Sequence, residues 1–369
     1  MKIKQLGIKN FRNLEAITYT PGASLNIFLG DNAQGKTSLL EAIFLLGNGA
    51  SFRDGADKDI VRYNSTGYKV YGEYAIEERT LSSSVIYDAE KNKKSLQLNR
   101  KAVNYKHPDL LRFVVFIPDD LFLIKGAPGK RRRFLDFILR QVSGTYASQL
   151  ENYERILKKR SDWLKLGGKD PEVSAVLDDV FLDNAVNIIL SRIRLVSVLD
   201  EYWQKIYTKL SEGSALAVRL RYALSFPLAA EAIDYSTIRA AMEKQMVEML
   251  PLEQRRKKCL VGPHLDDLNF YLDHRLAKFY ASQGQQRSMV IALKLAEVYA
   301  HQLLKQRYPI FLLDEVLSEL DEQRKKNLIE YLTNLPCQSF LTAVNLDHIE
   351  VNPEHCQISE VRKGNVVVF

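Results

Sequence analysis

The stretch Gly30-Asp31-Asn32-Ala33-Gln34-Gly35-Lys36-Thr37 constrains this chain more than any other. It fits the pattern G-x-x-x-x-G-K-[ST] and stands between an apolar run, NIFLG, and an apolar-periodic segment, TSLLEAIFLL. A strand that turns through glycine-rich backbone straight into a helix offers a row of N–H groups and a helix N-terminus to a phosphate. Lys36 then reaches the β- and γ-phosphates, the Thr37 hydroxyl is a ligand for Mg²⁺, and Ser38 extends the same loop. The loop therefore implies an α/β nucleotide-binding fold.

A second run completes the chemistry. Phe311-Leu312-Leu313 reads as a central strand whose end carries Asp314 and Glu315. Asp314 is expected to hold Mg²⁺ through water, and Glu315 to orient and deprotonate an attacking water. A glutamate directly after the aspartate favours hydrolysis over transfer to another substrate. Asn345-Leu346-Asp347 lacks the lysine of the guanine-reading N-K-x-D, which disfavours a GTPase.

Between these two motifs the character of the chain changes twice. Residues 2–30 and 68–98 read as short strands: KIKQLGI, LEAITYT, SLNIFLG, YKVYGEYAI, TLSSSVIYD and KSLQLN. RFVVFIP is a buried strand ended by Pro118. From about Lys130 to Lys258 helical periodicity dominates. Phe134, Phe137, Ile138, Val142 and Tyr146 form one stripe, and Leu195, Leu199, Tyr202, Ile206 and Leu210 another. Gly167-Gly168 and Ser211-Glu212-Gly213 punctuate the region, whose longest helix is expected to run roughly 35 residues, about 50 Å. After Gly262-Pro263 the pattern is mixed again, with LNFYLD and RLAKFYA expected as a hairpin across Asp273-His274. The expected organisation is an α/β head in two pieces, 1–118 and 262–369, interrupted by a helical arm at 119–261.

Composition excludes several classes. With 369 residues and 46% hydrophobic content, the chain can bury a sizeable core. Its +7 formal charge suits a nucleic-acid partner without demanding one. Three scattered cysteines, Cys259, Cys337 and Cys356, form neither a metal spacing nor a disulfide framework, which suggests a reducing, cytoplasmic setting. The N-terminus alternates like a strand and has no apolar signal core, and no apolar run is long enough for a bilayer.

Ser282-Gln283-Gly284-Gln285-Gln286 opens another apolar-periodic segment. A serine hydroxyl, a close-approach glycine and a helix N-terminus form either a second phosphate clamp or a plain N-cap with solvated glutamines. The order of loop, helical insert, serine-glycine collar and Asp-Glu strand resembles that of ABC-type ATPases, in which the collar closes on a nucleotide held by another subunit. Leu317-Ser318-Glu319-Leu320-Asp321 resembles their D-loop. More specifically, Asn10-Phe11-Arg12-Asn13, Asn32 to Thr37, Lys125-Gly126-x-Pro128-x-x-Arg131-Arg132-x-Phe134-Leu135-Asp136, Gly262-Pro263-His264-x-Asp266-Asp267 and Ser282 to Arg287 together resemble the RecF family of bacterial recombination mediators.

The resemblance implies an ABC/SMC-like ATPase head with a helical arm, weak DNA-stimulated ATP hydrolysis and an ATP-dependent homodimer. Lys36, Thr37, Asp314 and Glu315 would act on the nucleotide from one subunit, and Ser282, Gly284 and Gln285 from the other. Ser318 and Asp321 would face the dimer interface. It further implies binding to duplex and to single-strand/double-strand junctions, and work with RecO- and RecR-type mediators. Two departures stand out: Leu265 occupies a position where a basic residue is expected, and the histidine that follows the next strand in many ABC ATPases is absent, with Thr342 or Asn345 in its region.

Lys130-Arg131-Arg132-Arg133 opens a predicted helix, where cations oppose the macrodipole. Either an anionic partner such as DNA phosphate or intramolecular pairing explains it. Arg255-Arg256-Lys257-Lys258 carries the same two readings. His264 with Asp266 and Asp267 is either the start of a metal site or a structural turn. Rival functions are a transporter's ATP-binding subunit, which leaves the basic helix start without purpose, and an SMC-type tether, for which the arm is short.

Overall fold

The computed structural model describes residues 1–369 apart from 54, 168–169, 212–215, 230–231, 347–348 and 350. Gly168, Glu212, Gly213 and Asp347, which figure in the sequence reading, lie outside the described residues. The chain forms two units: Met1–Leu121 with Ile206–Ser214 and Gln283–Phe369, and Phe122–Lys205 with Ala215–Ser282.

The first unit is built on two six-stranded sheets. One is antiparallel, in the order Leu14–Tyr19, Lys2–Phe11, Gly67–Ile76, Arg79–Asp88, Lys93–Leu98, Lys101–Ala102. Its strands alternate buried and more exposed positions, so Tyr68, Val70, Tyr74 and Ile76 share one buried face. The other sheet runs Asn365–Val368, Cys356–Arg362, Leu25–Leu29, Ser339–Ala343, Ile310–Leu313, Phe113–Phe116. It is parallel except for the terminal hairpin. Strands covered on both faces read as continuous apolar runs, as FVVF and IFLL do, and every residue of both is buried.

The helix Lys36–Asn48 touches strands of both sheets, and eleven of its thirteen residues are buried. Beyond its polar first turn and Glu41 such a helix is apolar on nearly every side, because neighbours cover it all round. The helix Gln283–Lys305 packs on Phe113–Phe116.

The second unit holds the helices Pro128–Val142, Gly144–Lys165 and Tyr235–Arg256, with most of Pro171–Leu210. Pro128 starts the first of these at a position where its missing N–H costs nothing, and Ser143 caps the second by accepting from the Tyr146 N–H. Pro171–Leu210 is one helix of 40 residues, longer than expected. At about 1.5 Å per residue it spans about 60 Å.

Two segments differ from the sequence reading. Val218–Ala223, placed within the helical region, is a strand paired antiparallel with Asp267–Leu272. VRLRYA alternates with period two, and the pairing buries Val218 and Leu220 while their arginine neighbours face out. This pairing also groups 262–282 with the helices, where the sequence reading resumes the head at 262. The hairpin across Asp273-His274 is present, both residues taking positive φ (48° and 65°) as its tight turn requires. Its second strand is only Arg275–Leu276, and Ala277–Tyr280 turns into a short helix.

Candidate functional site

The C-terminal edge of the parallel sheet gathers the sequence-predicted catalytic set. Such edges carry the sites of open α/β sheets because loops there leave the strands and helices begin. Leaving Leu29, the chain takes positive φ at Gly30 (150°), Ala33 (64°) and Gly35 (112°). At Gly30 a side chain would also collide with the Val361 carbonyl. Glycine is thus required there by backbone and by space.

Lys36 follows, 3% exposed, its ammonium donating to the carbonyls of Gly30 (2.7 Å) and Asp31 (2.9 Å). The Thr37 hydroxyl lies 3.0 Å from both carboxylate oxygens of Asp314. Asp314 is 6% exposed, and burial pushes its carboxyl above the usual range against the bonds donated by Thr342 and Thr37.

Thr342, which with Asn345 stands in the region of the missing histidine, bonds the Asp314 carboxylate and the Glu315 backbone. It sits on the strand between the Leu25–Leu29 and Ile310–Leu313 strands, fully buried. Its hydroxyl donates to Asp314 Oδ1 (2.8 Å) and accepts from the Glu315 N–H (2.9 Å). The Asp314 carboxylate and the Glu315 backbone are thereby held by one side chain. Glu315 itself takes left-handed backbone, φ 49°, which is uncommon for glutamate and points to a geometric demand at this position. Asn345 is exposed beyond the end of the same strand.

A cleft of about 990 Å³ opens here, lined among others by Gly35, Lys36, Thr37, Ser38 and Glu315. Its wall also includes Arg12, Asn13, Arg53 and Tyr63. Arg12 makes a two-pronged bond to Glu41, at 2.7 and 3.1 Å, and a third to the Asp59 carbonyl. Glu41 is fully buried on the Lys36–Asn48 helix, also accepts from Ser51, and has Arg53 at 3.8 Å. Arg12 and Asn13 entered the sequence reading only through the family motif. Arg53 and Tyr63 carried no local signal, since what marks them is the cleft itself. Tyr63 is 87% exposed.

Gly284 and Gln285 do not line that cleft. Ser282 is exposed immediately before the Gln283–Lys305 helix. The Gly284 backbone lies against the Arg324 side chain, and Arg324 pairs with Asp321 at 3.2 Å. Asp321 caps the following helix by accepting from the Arg324 N–H, and the exposed Ser318 hydroxyl donates to the Glu315 carbonyl. Ser318 is therefore tied directly to the Glu315 backbone.

The basic helix start divides in two. Arg131 is buried, donating to both oxygens of Asp267 (2.6 and 2.9 Å) and to the carbonyls of Leu123 and Gly126. These internal bonds account for Arg131 and remove it from the four cations read as DNA contacts. Arg132 donates to the Asp266 carbonyl, Lys130 lies over the Phe122 ring, and Arg133 is exposed. Two motifs far apart in sequence are thus one construction, the Asp267 carboxylate and the Asp266 carbonyl of one answering Arg131 and Arg132 of the other. Asp136 of the first motif pairs with Arg192, which also donates to the Pro263 carbonyl of the second.

The His264 turn resolves the same way. His264 bonds Tyr153 at 2.6 Å, and Asp266 accepts from the Tyr222 hydroxyl and the Ser225 N–H. Among the described residues no cluster of His, Cys, Asp and Glu could hold a metal ion. The three cysteines are free and buried. Among the described residues no helix is long and apolar enough to cross a membrane.

A glycine-rich loop on a parallel sheet, an Asp-Glu strand end and a helical insert define an ABC-type P-loop ATPase head. Residues 2–366 match the RecF/RecN/SMC N-terminal domain model. The chain is 33% identical to the DNA replication and repair protein RecF of Streptococcus pyogenes serotype M49, over 100% of this chain and 99% of that one. It is also 33% identical to the same-named protein of Streptococcus agalactiae serotype Ia, over 100% and 98%. The chain belongs to the RecF family, the ABC-type ATPases of recombinational repair. Its fold resembles the recombination mediator protein RecF of the RecFOR pathway solved with ATP, at TM-score 0.87, 26% identity and coverage of 100% and 97%. An Smc head bound to the C-winged helix domain of ScpA shares the fold at TM-score 0.57 and 16% identity, over 100% and 97%.

Proposed function

We propose that this chain binds ATP between two copies of itself, holds DNA in that state, and releases it on hydrolysis. The observation that carries the reading is the Thr37–Asp314–Thr342–Glu315 chain of hydrogen bonds, whose ends Thr37 and Glu315 line a cleft that Gly284 and Gln285 do not. One subunit then supplies the phosphate loop and the two acids. The other supplies Ser282, Gly284 and Gln285, with Ser318 and Asp321 at the junction.

Within the first subunit, the loop N–H groups of Gly30 to Thr37 and the Lys36 ammonium bind the phosphates, since two carbonyl bonds leave Lys36 a third N–H. Thr37 and Asp314 form a hard oxygen pair suited to Mg²⁺. When bound, that ion neutralises charge on the β- and γ-phosphates. Glu315 accepts the proton of the attacking water. Its backbone is held by Thr342 on one side and by Ser318 on the other, so departure of the γ-phosphate has a direct path to the D-loop.

DNA is the macromolecular partner, held mainly through phosphates and hence salt-sensitively, with Lys130, Arg132 and Arg133 the contacts on the basic helix. RecO- and RecR-type mediators are the protein partners, and the role is to help load a recombinase at gapped DNA. The cytoplasm is its compartment.

Light scattering with and without ATP tests the composite site. Glu315→Gln is expected to accumulate as a dimer at saturating ATP, and Ser282→Arg to bind ATP yet stay monomeric. A Glu315→Gln variant that remains monomeric, or a Ser282→Arg variant that dimerises normally, refutes it.

A further inference from the structure

The short helix Ala277–Tyr280, which ends two residues before Ser282, has its amphipathicity inverted. Its small residues Ala277 and the following Ala281 are buried, while Phe279 and Tyr280 are 71% and 63% exposed. Core packing cannot account for that choice, because the largest apolar groups face solvent. Phe122, 54% exposed, belongs to the helical turn Phe122–Lys125, which packs against Ala277–Tyr280. Three exposed aromatic rings therefore stand on two segments of the second unit that pack against each other.

Each ring carries a cation. The Lys278 ammonium lies 4.8 Å from the Phe279 ring centre, the Arg275 guanidinium 5.4 Å from that of Tyr280, and the Lys130 ammonium 4.7 Å from that of Phe122. Exposed aromatic surface alone marks an interaction site, but the cores of protein–protein interfaces are depleted of lysine. Rings interleaved with cations suit a partner that is both polyanionic and rich in flat π faces. Nucleic acid has both properties, and only unpaired bases offer their faces, because duplex bases are already stacked on each other.

We propose that Phe122, Phe279 and Tyr280, with Lys130, Arg275 and Lys278, form a stacking platform for the unpaired bases of single-stranded DNA. The inference rests on the DNA-binding reading above and adds to it the means of telling gapped DNA from duplex. Base–aromatic stacking is sequence-tolerant, so the platform reads the absence of a second strand and not the order of bases. The cations hold the intervening phosphates, which makes this part of the binding salt-dependent as well.

The test uses the full chain with ATP and two probes, a blunt duplex and a gapped duplex with 2-aminopurine in its single-stranded part. In the wild type, stacking is expected to quench the 2-aminopurine fluorescence, and gapped DNA to bind more tightly than duplex. Phe279→Ala with Tyr280→Ala should weaken gapped-DNA binding by about tenfold or more, since one stacked base contributes on the order of 5- to 100-fold. Duplex binding should change by less than about twofold, in line with a platform that contacts unpaired bases only. The exchange Phe279→Tyr with Tyr280→Phe should restore both quenching and preference.

A double-alanine variant that keeps the preference for gapped DNA overturns the platform alone. So does one that weakens on both probes equally, or one that keeps its DNA preference but no longer dimerises with ATP, which would assign the rings to the partner copy. A wild type that binds neither probe overturns the DNA-binding reading as well.

Discussion

Thr342→Val removes one hydroxyl and almost no volume, and it tests whether that hydroxyl aligns Asp314 with the Glu315 backbone. In the wild type the hydroxyl donates to Asp314 at 2.8 Å and accepts from the Glu315 N–H at 2.9 Å, with the residue fully buried. A hydrogen bond to a charged group contributes about 1.5–3 kcal/mol, and an unpaired buried N–H costs about 1–3 kcal/mol. Asp314 retains the Thr37 donor, which offsets part of its loss. We expect a net destabilisation of about 2–4 kcal/mol. With a urea m-value of about 3 kcal/mol/M, the midpoint for the ATPase unit falls by about 1 M. The Glu315 backbone loses its anchor, so kcat for ATP hydrolysis should drop by about tenfold or more, as when a catalytic group is misplaced. Nucleotide affinity, which depends on the loop and Lys36, should change by less than about threefold. Thr342→Ser keeps the hydroxyl and should recover turnover. A valine variant with wild-type urea midpoint and turnover would falsify the proposed alignment.

Arg131 and Arg133 are adjacent but should behave in opposite ways. Arg131→Ala leaves Asp267 without its buried partner and should lower stability by about 3–5 kcal/mol, read by thermal unfolding. Arg133→Ala should change stability by less than about 0.5 kcal/mol, weaken DNA binding across sequences and reduce its log–log salt slope by about one. Equal stability losses from both would contradict the division. Glu297, fully buried with Lys294 at 3.7 Å, is pushed up by burial from its ordinary value to about 7. Its protonated form is therefore favoured by the fold, a contribution present in full below pH 4.5 and lost as pH rises through about 7. Between pH 4.5 and 8 the wild type should lose about 3 kcal/mol relative to Glu297→Gln, measured as urea midpoints, and a pH-independent difference would refute the raised value.

Several of these features were legible without coordinates. The loop Gly30 to Thr37 needs only local geometry, a strand end, left-handed backbone and a helix start, and local geometry is written in consecutive residues. The strands FVVF and IFLL were visible because full burial leaves an unbroken apolar run. The strand VRLRYA is not legible in this way, although its alternation is plain, because its pairing partner lies more than forty residues later and a strand is stable only when paired. The segment RLAKFYA reads as a hairpin's second strand, whereas the structure keeps only Arg275–Leu276 as strand and turns Ala277–Tyr280 into a helix that exposes the rings.

By itself, then, the sequence determined the chemistry of the nucleotide loop, the Asp-Glu strand end and the division into α/β and helical parts. These follow from residue types at short spacing. Only the tertiary structure decided which charges are available and which are spent. It spent Arg131 on Asp267 and Asp136 on Arg192, set Thr342 between the two acids, and left Arg133 exposed. A charge or hydroxyl in a string of letters has no partner until the fold supplies one. Burial then makes that pairing compulsory, because an unpaired polar group away from water costs more than the bond it forgoes.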